Sequence, residues 1–429
     1  MLTMTTDENG IAVVLIDMPG RSMNVIDWAL RDELEKAFEA LVADDAVRGI
    51  VLGSAKSSFI AGADLAIMAD FVGEGTTVET ATDLIWPMSA LMRRIETCGK
   101  PVVVAAPGTA LGGGLELMLA GHYRIAAQNP KARFGLPEVT LGLLPGAGGT
   151  QRLPRLIGIA AALPLLTEGR HVTAEEALDL GILDRIVEPE RLIEEAKAAL
   201  LSGVVNPVAP WDEKTFRAPG MAIGASADFF AATNVAIAER TRGNYPAPRV
   251  IASCVYEGMR LPIDKALKIE GQYFGELVHG KVAQALIATM FFARQQVAKA
   301  GNPPADVDGP FGRALKAALA ASLTRLEGEG YGANFLRNAA RRAGLTPEMP
   351  ADAPAVDPPK ARGASADLVP VGERLLKEVA QAARESLEAG IIPDATTGNV
   401  WAIETGGYPA YTGGPFHLLE QWMAKGAGA

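Results

Sequence analysis

Two glutamates stand where a carboxylate could carry out acid–base chemistry. Glu116 follows the glycine run Gly112 to Gly114 and lies at the start of an apolar helix predicted in "ALGGGLELML". Glu138 follows Pro137 in "FGLPEVTLGLLPGAGG". Glycines at a helix start leave backbone N–H groups free to stabilise a ligand oxygen that gains negative charge. Two acids beside such donors predict a pocket for general acid–base catalysis.

A second backbone donor is predicted in "IAGAD", where Gly62 frees the chain and the N–H of Ala63 opens a helix. Each of these features also has a purely structural interpretation. Glycine runs often serve tight packing, and acids are common in the first turn of a helix. Neither "GTALGG" nor "PGAGGTQR" matches the GxGxxG fingerprint of a dinucleotide site or a phosphate-binding P-loop.

The elements around these residues alternate between strand and helix, which implies an α/β layer architecture. Helical spacing of apolar residues and a capping Asp27 predict a helix over 28–43. Residues 158–200 read as helical, and "TAEE" from Thr173 to Glu176 has the form of a capping box. Further strands are predicted at 11–17, 49–55, 101–108 and 123–126, and a further helix at 80–97.

Composition excludes several classes of function. The net charge of -10 argues against a nucleic-acid-binding surface, which is normally basic. The two cysteines form no CxxC pair and the four histidines are scattered, so neither a disulfide framework nor a metal site is expected. The sequence has no basic start followed by a long apolar stretch and no run of the ~18 to 20 apolar residues that a membrane span requires. We therefore expect a cytoplasmic protein without a membrane span.

Four segments, in order, resemble the crotonase superfamily: "SSFIAGADLAIM", "ALGGGLEL", "FGLPEVTLGLLPGAGGTQRLPRLIG" and "LTEGRHVTAEEALDLGILDRIV". They are most similar to the enoyl-CoA hydratase domain of the multifunctional fatty-acid β-oxidation α chain. The resemblance implies an α/β fold, a spiral of ββα units with an additional helical C-terminal region. It predicts a hydratase core at 1–200, a helical extension covering that core at 201–300, and at 301–429 a linker plus the remnant of dehydrogenase C-terminal helices.

The resemblance also assigns roles. Ala63 and Gly113 would supply the backbone N–H groups of an oxyanion hole. Glu116 would deprotonate a water that attacks C3 of a trans-2-enoyl-CoA, and Glu138 would protonate C2, which gives a 3-hydroxyacyl-CoA. Isomerases of the superfamily tend to keep one such acid, so a Δ3-Δ2 isomerase remains an alternative, as does a non-catalytic CoA-binding subunit with a thiolase partner.

The walls of the substrate pocket are assigned by the same resemblance. The residues expected to receive the CoA part of the substrate are Arg21, Met23, Ala61, Asp64, Leu65 and Gly112. Arg21 could contact CoA phosphates or could equally be an ordinary solvated charge. Arg152 and Arg155 in "GGTQRLPRLIG" could bind phosphate, but we expect them to pair with acids and position the Glu138 loop.

The sequence departs from the α chain after residue 300. Where that family continues into a nicotinamide-binding domain, "NPPADVDGP" follows, and no GxGxxG occurs beyond it. We therefore expect no NAD site, no dehydrogenase activity and no cofactor other than the CoA thioester substrate itself. Helices are predicted at 311–343 and 370–389, the second followed by an irregular tail that contains "YPAYTGGPF". This tail is similar to the C-terminal repeat of the dehydrogenase.

Overall fold

The computed structural model describes residues 1–72, 75–221, 226–302, 306, 308–346 and 367–427. The chain forms two compact units, one of residues Met1–Val235 and Ala247–Gly280, the other of Ala236–Pro246 and Lys281–Ala429. These boundaries differ from residues 200 and 300, and the three-part domain division stays a prediction. Most of the predicted linker at 344–367 and part of that at 301–310 lie outside the described residues.

A six-stranded sheet forms the centre of the first unit. Its first two strands are antiparallel and all other neighbours are parallel. The predicted strands all lie in it, whereas its edge strand at Leu2–Thr6 was not predicted. In sheet order the strands are β1 (Leu2–Thr6), β2 (Ile11–Ile16), β3 (Gly49–Ser54), β5 (Val102–Ala106), β7 (Tyr123–Ala127) and β9 (Arg185–Val187).

A second sheet consists of three parallel strands of two residues each, β4 (Ile60–Ala61), β6 (Ala110–Leu111) and β8 (Phe134–Gly135). Each of them follows a strand of the large sheet and leads into a helix or a 3-10 turn. The chain thus winds through three successive ββα units, one strand of each unit in each sheet. This arrangement confirms the α/β spiral with a helical C-terminal region.

Local signals account for the first helices. The Oδ1 atom of Asp27 accepts a hydrogen bond from the N–H of Leu30 at 2.7 Å, so the predicted cap is confirmed. The predicted capping box at Thr173 and Glu176 is present as well. The helices are α1 (Trp28–Ala43), α2 (Leu65–Val72), α3 (Val78–Glu96), α4 (Gly113–Leu119), α5 (Gly149–Ile157), α6 (Ile159–Glu168), α7 (Ala174–Asp179) and α8 (Leu192–Leu201).

Three later helices complete the elements that begin in the first unit: α9 (Ala227–Thr241), α10 (Pro246–Gly258) and α11 (Ile263–Val278). One hydrophobic core lies between one face of the large sheet and α8. Its members include Ile11, Val13, Val51, Val103, Ile125, Leu192, Ala196 and Leu200. The predicted helical stretch at 158–200 is interrupted by strand β9, which the helical pattern of its surroundings concealed.

The second unit is helical around its own core, which includes Leu315, Leu326, Leu336, Leu375 and Val379. The predicted tail after residue 389 is wrong as an irregular segment, because two helices lie there. Asp394 caps the first of them through the N–H of Thr397 at 2.7 Å, and Pro415 opens the second. The elements are α12 (Lys281–Leu286), a π-helix (Ile287–Ala293), α13 (Arg294–Lys299), α14 (Pro310–Gly328), α15 (Ala333–Arg342), α16 (Leu368–Glu388), α17 (Ala395–Glu404) and α18 (Pro415–Ala427).

Candidate active site

The carboxyl ends of the three short strands bring the predicted site residues together. Strand β4 leads to Ala63, β6 to Gly113 and β8 to Glu138. Ala61 is paired with Leu111, and Leu111 with the last residue of β8. Because the strands are parallel, their carboxyl ends meet at one edge of the small sheet. Segments that are far apart in sequence therefore form one site.

Each of the two predicted N–H donors, Ala63 and Gly113, follows a glycine with a positive φ angle. Gly62 has φ 104° and Gly112 has φ 55°, values in the left-handed region that glycine tolerates. The residues on both sides of Ala63 are bonded to Ile26, each at 2.8 Å. In the described part of the chain, the N–H groups of Ala63 and Gly113 donate to no protein acceptor. Both donors are thus available to a ligand oxygen.

Glu116 lies in the first turn of α4 with 3% of its surface exposed. Its Oε1 atom accepts hydrogen bonds from the N–H groups of Ala147 and Gly149, both at 2.8 Å. Its Oε2 atom faces Gly113, where a methyl group built on the glycine would lie 4.0 Å away. Burial raises the pKa of Glu116 to about 6, while the two backbone bonds and the charge of Arg152 favour the ionised form.

Glu138 lies in a 3-10 turn, Pro137–Leu141, that begins with proline. Its Oε1 atom lies beside Gly112, where a methyl group would come within 2.8 Å of it. Its Oε2 atom is buried and has no hydrogen-bond partner among the described residues. Burial and then the negative charge of Glu116 raise the pKa of Glu138 well above its usual value.

The two acids therefore both face the backbone at Gly112 and Gly113, but they differ in the number of hydrogen bonds that their carboxyl oxygens accept. Glu116 receives two N–H bonds on one oxygen, which stabilise a carboxylate. Glu138 receives none on its buried oxygen, which favours the protonated form. At neutral pH this environment provides one base and one acid beside two free backbone donors.

Another buried acid, Glu270 on α11, borders the site and was missed in the sequence. It is 0% exposed. Its Oε1 atom accepts from the N–H of Gly148 at 2.5 Å, and its Oε2 atom from the N–H of Thr150 at 3.0 Å and the Thr150 hydroxyl at 2.5 Å. The available signal was the one that singled out Glu116, an acid on an apolar helix face, here between Leu267 and Phe274.

The two arginines of the "GGTQRLPRLIG" segment are structural. Arg152 is fully buried, forms a bidentate pair with Glu96 at 2.9 and 3.2 Å, and donates to the carbonyl of Ala147 at 3.0 Å. Arg155 donates instead to the carbonyls of Gly258 and Leu261 at 2.8 and 2.9 Å. The expectation that both pair with acids is wrong for Arg155, and Arg152 holds the segment behind Glu116 rather than the Glu138 turn.

The predicted CoA-binding wall is partly assembled. The N–H of Ala61 donates to the carbonyl of Asn24 at 2.9 Å, so the turn after β2 runs beside β4. Arg21 forms an ion pair with Asp64 at 2.5 Å, an arrangement that neither interpretation of Arg21 anticipated. Met23 is 49% exposed. Leu65 begins α2, and its side chain lies outside the described residues.

Asn24 is a second residue that sequence reasoning missed. Its side chain is fully buried. It accepts from the N–H of Met18 and donates to the carbonyls of Ile16 and Phe59 and to the hydroxyl of Ser54, at 2.9 to 3.2 Å. Asn24 thereby ties the end of β2 to the entry of β4, the strand that leads to Ala63. The sequence held no signal for this, because an asparagine in a turn is common.

No cluster of metal-ligating side chains occurs among the described residues. Within the same part of the chain, no helix combines the length and apolar character needed to cross a membrane.

Comparison with known proteins shows which family the chain resembles. Residues 6–207 match the family profile "Enoyl-CoA hydratase/isomerase". The chain is 38% identical over 301 residues to the fatty acid oxidation complex subunit alpha of Shewanella loihica, which covers 69% of this chain and 42% of the relative. The subunit of the same name from Shewanella halifaxensis is 37% identical over 302 residues, 69% of this chain and 41% of the relative. The chain thus spans about two fifths of the length of these relatives.

Among solved structures, the human mitochondrial delta3-delta2-enoyl-CoA isomerase aligns with a TM-score of 0.50 and 24% identity. The alignment covers 70% of this chain and 99% of the isomerase, which shows that the two share a fold. Residues 6–207 of this chain, just under half of it, therefore form a domain that matches the enoyl-CoA hydratase/isomerase family, and the ββα spiral agrees with that match.

Proposed function

We propose that this chain is an enoyl-CoA hydratase, which adds water to a trans-2-enoyl-CoA to give a 3-hydroxyacyl-CoA in fatty-acid β-oxidation. One observation carries the proposal. Two acids with different hydrogen-bond environments face the same glycine step: buried Glu116, with two N–H donors on one oxygen, and half-buried Glu138, with a buried and unpartnered oxygen. Hydration needs a base for water and an acid for the carbon that becomes protonated, and this pair supplies both.

The thioester oxygen would accept hydrogen bonds from the N–H groups of Ala63 and Gly113. Negative charge develops on that oxygen when the nucleophile adds at C3, because the product of addition is an enolate. Loss of one such donor typically costs roughly 2.7 to 4 kcal/mol of transition-state stabilisation. The preceding glycines, Gly62 and Gly112, give the backbone the φ values that aim both donors outward.

Protons move between water, substrate and the two acids. Ionised Glu116 takes a proton from the water as its oxygen bonds to C3, and Glu138 gives its proton to C2 of the enolate. Glu116 then holds a proton and Glu138 is ionised, so Glu116 must release one proton to solvent and Glu138 must take up one before the next turnover. The unpartnered oxygen of Glu138 keeps this acid protonated and therefore available as a donor near neutral pH, and the two N–H bonds of Glu116 favour its ionised form.

The CoA part of the substrate would lie along the turn after β2 and the end of β4. In this proposal Arg21, Met23, Ala61, Asp64, Leu65 and Gly112 line its path. The Arg21–Asp64 ion pair would orient the guanidinium at the rim, since Asp64 is buried and Arg21 is exposed. The CoA thioester is the substrate, and the proposed reaction requires no NAD or other cofactor.

The relatives are named as subunits of a fatty acid oxidation complex. By analogy with those names, we propose that this chain assembles with a second subunit. That this subunit is a thiolase and that the protein is cytoplasmic are proposals from the sequence alone.

A Δ3-Δ2-enoyl-CoA isomerase is the alternative within the family, because one acid suffices to move a proton between C2 and C4. We would incubate the protein with trans-2-decenoyl-CoA and, separately, with 3-decenoyl-CoA and identify the products by mass spectrometry. Hydration is recognised by the added mass of one water. Isomerisation leaves the mass unchanged and is recognised by the absorbance of the conjugated 2-enoyl thioester that it forms. We expect 3-hydroxydecanoyl-CoA from the 2-enoyl substrate as the fastest reaction. Conversion of the 3-enoyl substrate without hydration of the 2-enoyl substrate would replace the hydratase with the isomerase.

A further inference from the structure

Four consecutive backbone N–H groups are shared alternately between two buried carboxyl groups. Those of Ala147 and Gly149 donate to Glu116, and those of Gly148 and Thr150 donate to Glu270. We call residues 147–150 the bridging segment. The two acids come from helices α4 and α11, which are more than a hundred positions apart in sequence. A movement of either acid therefore changes the hydrogen bonds of the other through the bridging segment.

The bridging segment is held in one conformation. Gly148 has φ 111°, and a methyl group there would overlap the guanidinium of Arg152. Arg152 in turn binds the carbonyl of Ala147 and the carboxylate of Glu96. The Thr150 hydroxyl lies 2.5 Å from Glu270. The N–H groups of Gly148 and Thr150 do not bond to Glu116. Glu270 holds these two donors.

We propose that Glu270 is a positioning residue for hydration, which keeps the bridging segment on Glu116. The inference rests on the proposed hydratase function. Glu270 touches no reacting atom in this account. It acts through the N–H groups of Ala147 and Gly149, which hold the base.

The charges around Glu270 favour its neutral form. Burial and then the charge of Glu116 raise the pKa of Glu270 to about 8, against the hydrogen bonds of Thr150 and Gly148 and the charge of Arg152. The positive charge of Arg152 does little to stabilise ionised Glu270, because Arg152 is already paired with Glu96. The titratable and charged groups that face Glu270 from the neighbouring elements are Glu116, Glu138, Arg152, Arg155, Glu96 and Cys254.

A pH profile follows from this arrangement. Activity should rise as Glu116 ionises near pH 6. It should fall as Glu270 ionises near pH 8, because a second negative charge opposes the developing enolate and makes Glu138 hold its proton more tightly. The pH dependence of kcat/KM reports these ionisations in the free enzyme.

The test compares the kcat/KM profile for crotonyl-CoA in the parent, Glu270→Gln and a control, Glu276→Gln, on the exposed side of the same helix. The glutamine has one acceptor oxygen, so it can serve only one of the Gly148 and Thr150 donors. We expect roughly a tenfold loss of kcat, the value of about one hydrogen bond. The acid limb of the profile should move to higher pH, because a looser segment supports ionised Glu116 less. The alkaline limb should also move to higher pH, to where Glu138 alone loses its proton. The control should match the parent.

If Glu270→Gln lowers kcat/KM by the same factor at every pH and leaves both limbs of the pH profile in place, the proposal is overturned and Glu270 is a purely structural residue. Thr150→Val is the second variant, should Glu270→Gln not fold. It keeps both backbone bonds and removes one donor to Glu270, so we expect the alkaline limb to move to higher pH and the acid limb to stay. An alkaline limb identical to that of the parent would contradict the proposal.

Failure of the hydratase function is distinguishable from failure of this inference. Infrared titration follows the C=O stretch of protonated carboxyl groups in the parent and in Glu270→Gln without any substrate. We expect the parent to lose a carboxylic-acid band near pH 8 that the variant lacks. A parent that is inactive yet shows this band refutes the function alone. Identical titrations of the two proteins refute the protonated state of Glu270.

Discussion

At Gly112 the backbone passes so close to Glu138 that any side chain would displace the acid. A methyl group there would lie 2.8 Å from Glu138 Oε1, and the residue has φ 55°. The glycine therefore serves two needs, a backbone conformation and a close approach. Of these, the approach to Glu138 bears directly on the chemistry.

Gly112→Ala should lower kcat/KM for an enoyl-CoA by about 100-fold, because a displaced general acid loses most of its contribution. The matched control is Gly181→Ala. Gly181 has φ 80° and nothing within 4 Å of its added methyl in the described part of the chain, so it carries the backbone cost alone. Both variants should lose about 1 kcal/mol of stability in urea unfolding. Equal activity in the two variants would show that Gly112 does not position Glu138.

Local context decided which residues could be predicted. Glu116 and Glu138 stand beside glycine and proline, whose backbone roles are visible in the sequence. Asn24 and Glu270 could not be predicted as firmly, because their partners lie far along the chain. Asn24 bonds to Phe59, 35 positions away, and Glu270 to Thr150, 120 positions away. Only folding brings such partners together.

At the scale of elements, the site depends on three strands too short to predict. A strand of two residues shows no alternation of apolar and polar side chains. Four of the longer strands, β2, β3, β5 and β7, read as apolar runs bounded by glycine or proline and were predicted, whereas β1 and β9 were not. Periodicity alone could not reveal the short strands. The ββα order was therefore predicted from the family resemblance.

The buried ion pair between Arg152 and Glu96 stabilises the elements that carry Glu116. Arg152→Met removes the positive charge and leaves Glu96, 1% exposed, with Arg93 as its remaining cation. We expect a loss of about 3 kcal/mol in the free energy of unfolding. The control Arg170→Met breaks an exposed pair with Glu176 and should change stability by roughly 0.5 kcal/mol or less. Urea denaturation measures both, and similar small losses would contradict the structural role of Arg152.

At the scale of the whole molecule, the chain joins a family region at residues 6–207 to a helical second unit. Motif order was sufficient to predict the family. The boundary of the second unit was not predictable, because it falls within helix α9, between Val235 and Ala236, where neighbouring helical segments have the same pattern. The helices after residue 389 were missed for a related reason, since proline and glycine in "YPAYTGGPF" suggested irregular structure.

NADH at millimolar concentration should leave the melting temperature unchanged, because no GxGxxG follows residue 300. A ligand that binds the folded state raises stability by RT ln(1 + [L]/Kd), so binding would be visible. Butyryl-CoA, a saturated thioester that cannot be hydrated, is the positive control and should raise the melting temperature. A clear shift with NADH would show a nucleotide site and reopen the question of dehydrogenase activity.

The most direct test of the central claim is the loss of enoyl thioester absorbance with crotonyl-CoA and trans-2-decenoyl-CoA. The parent, Glu116→Gln and Glu138→Gln would be measured side by side. We predict turnover by the parent and a loss of ~100-fold or more in each variant, because each removes one partner of the acid–base pair. An inactive parent on both substrates, or a variant that retains full activity, would contradict hydration by Glu116 and Glu138.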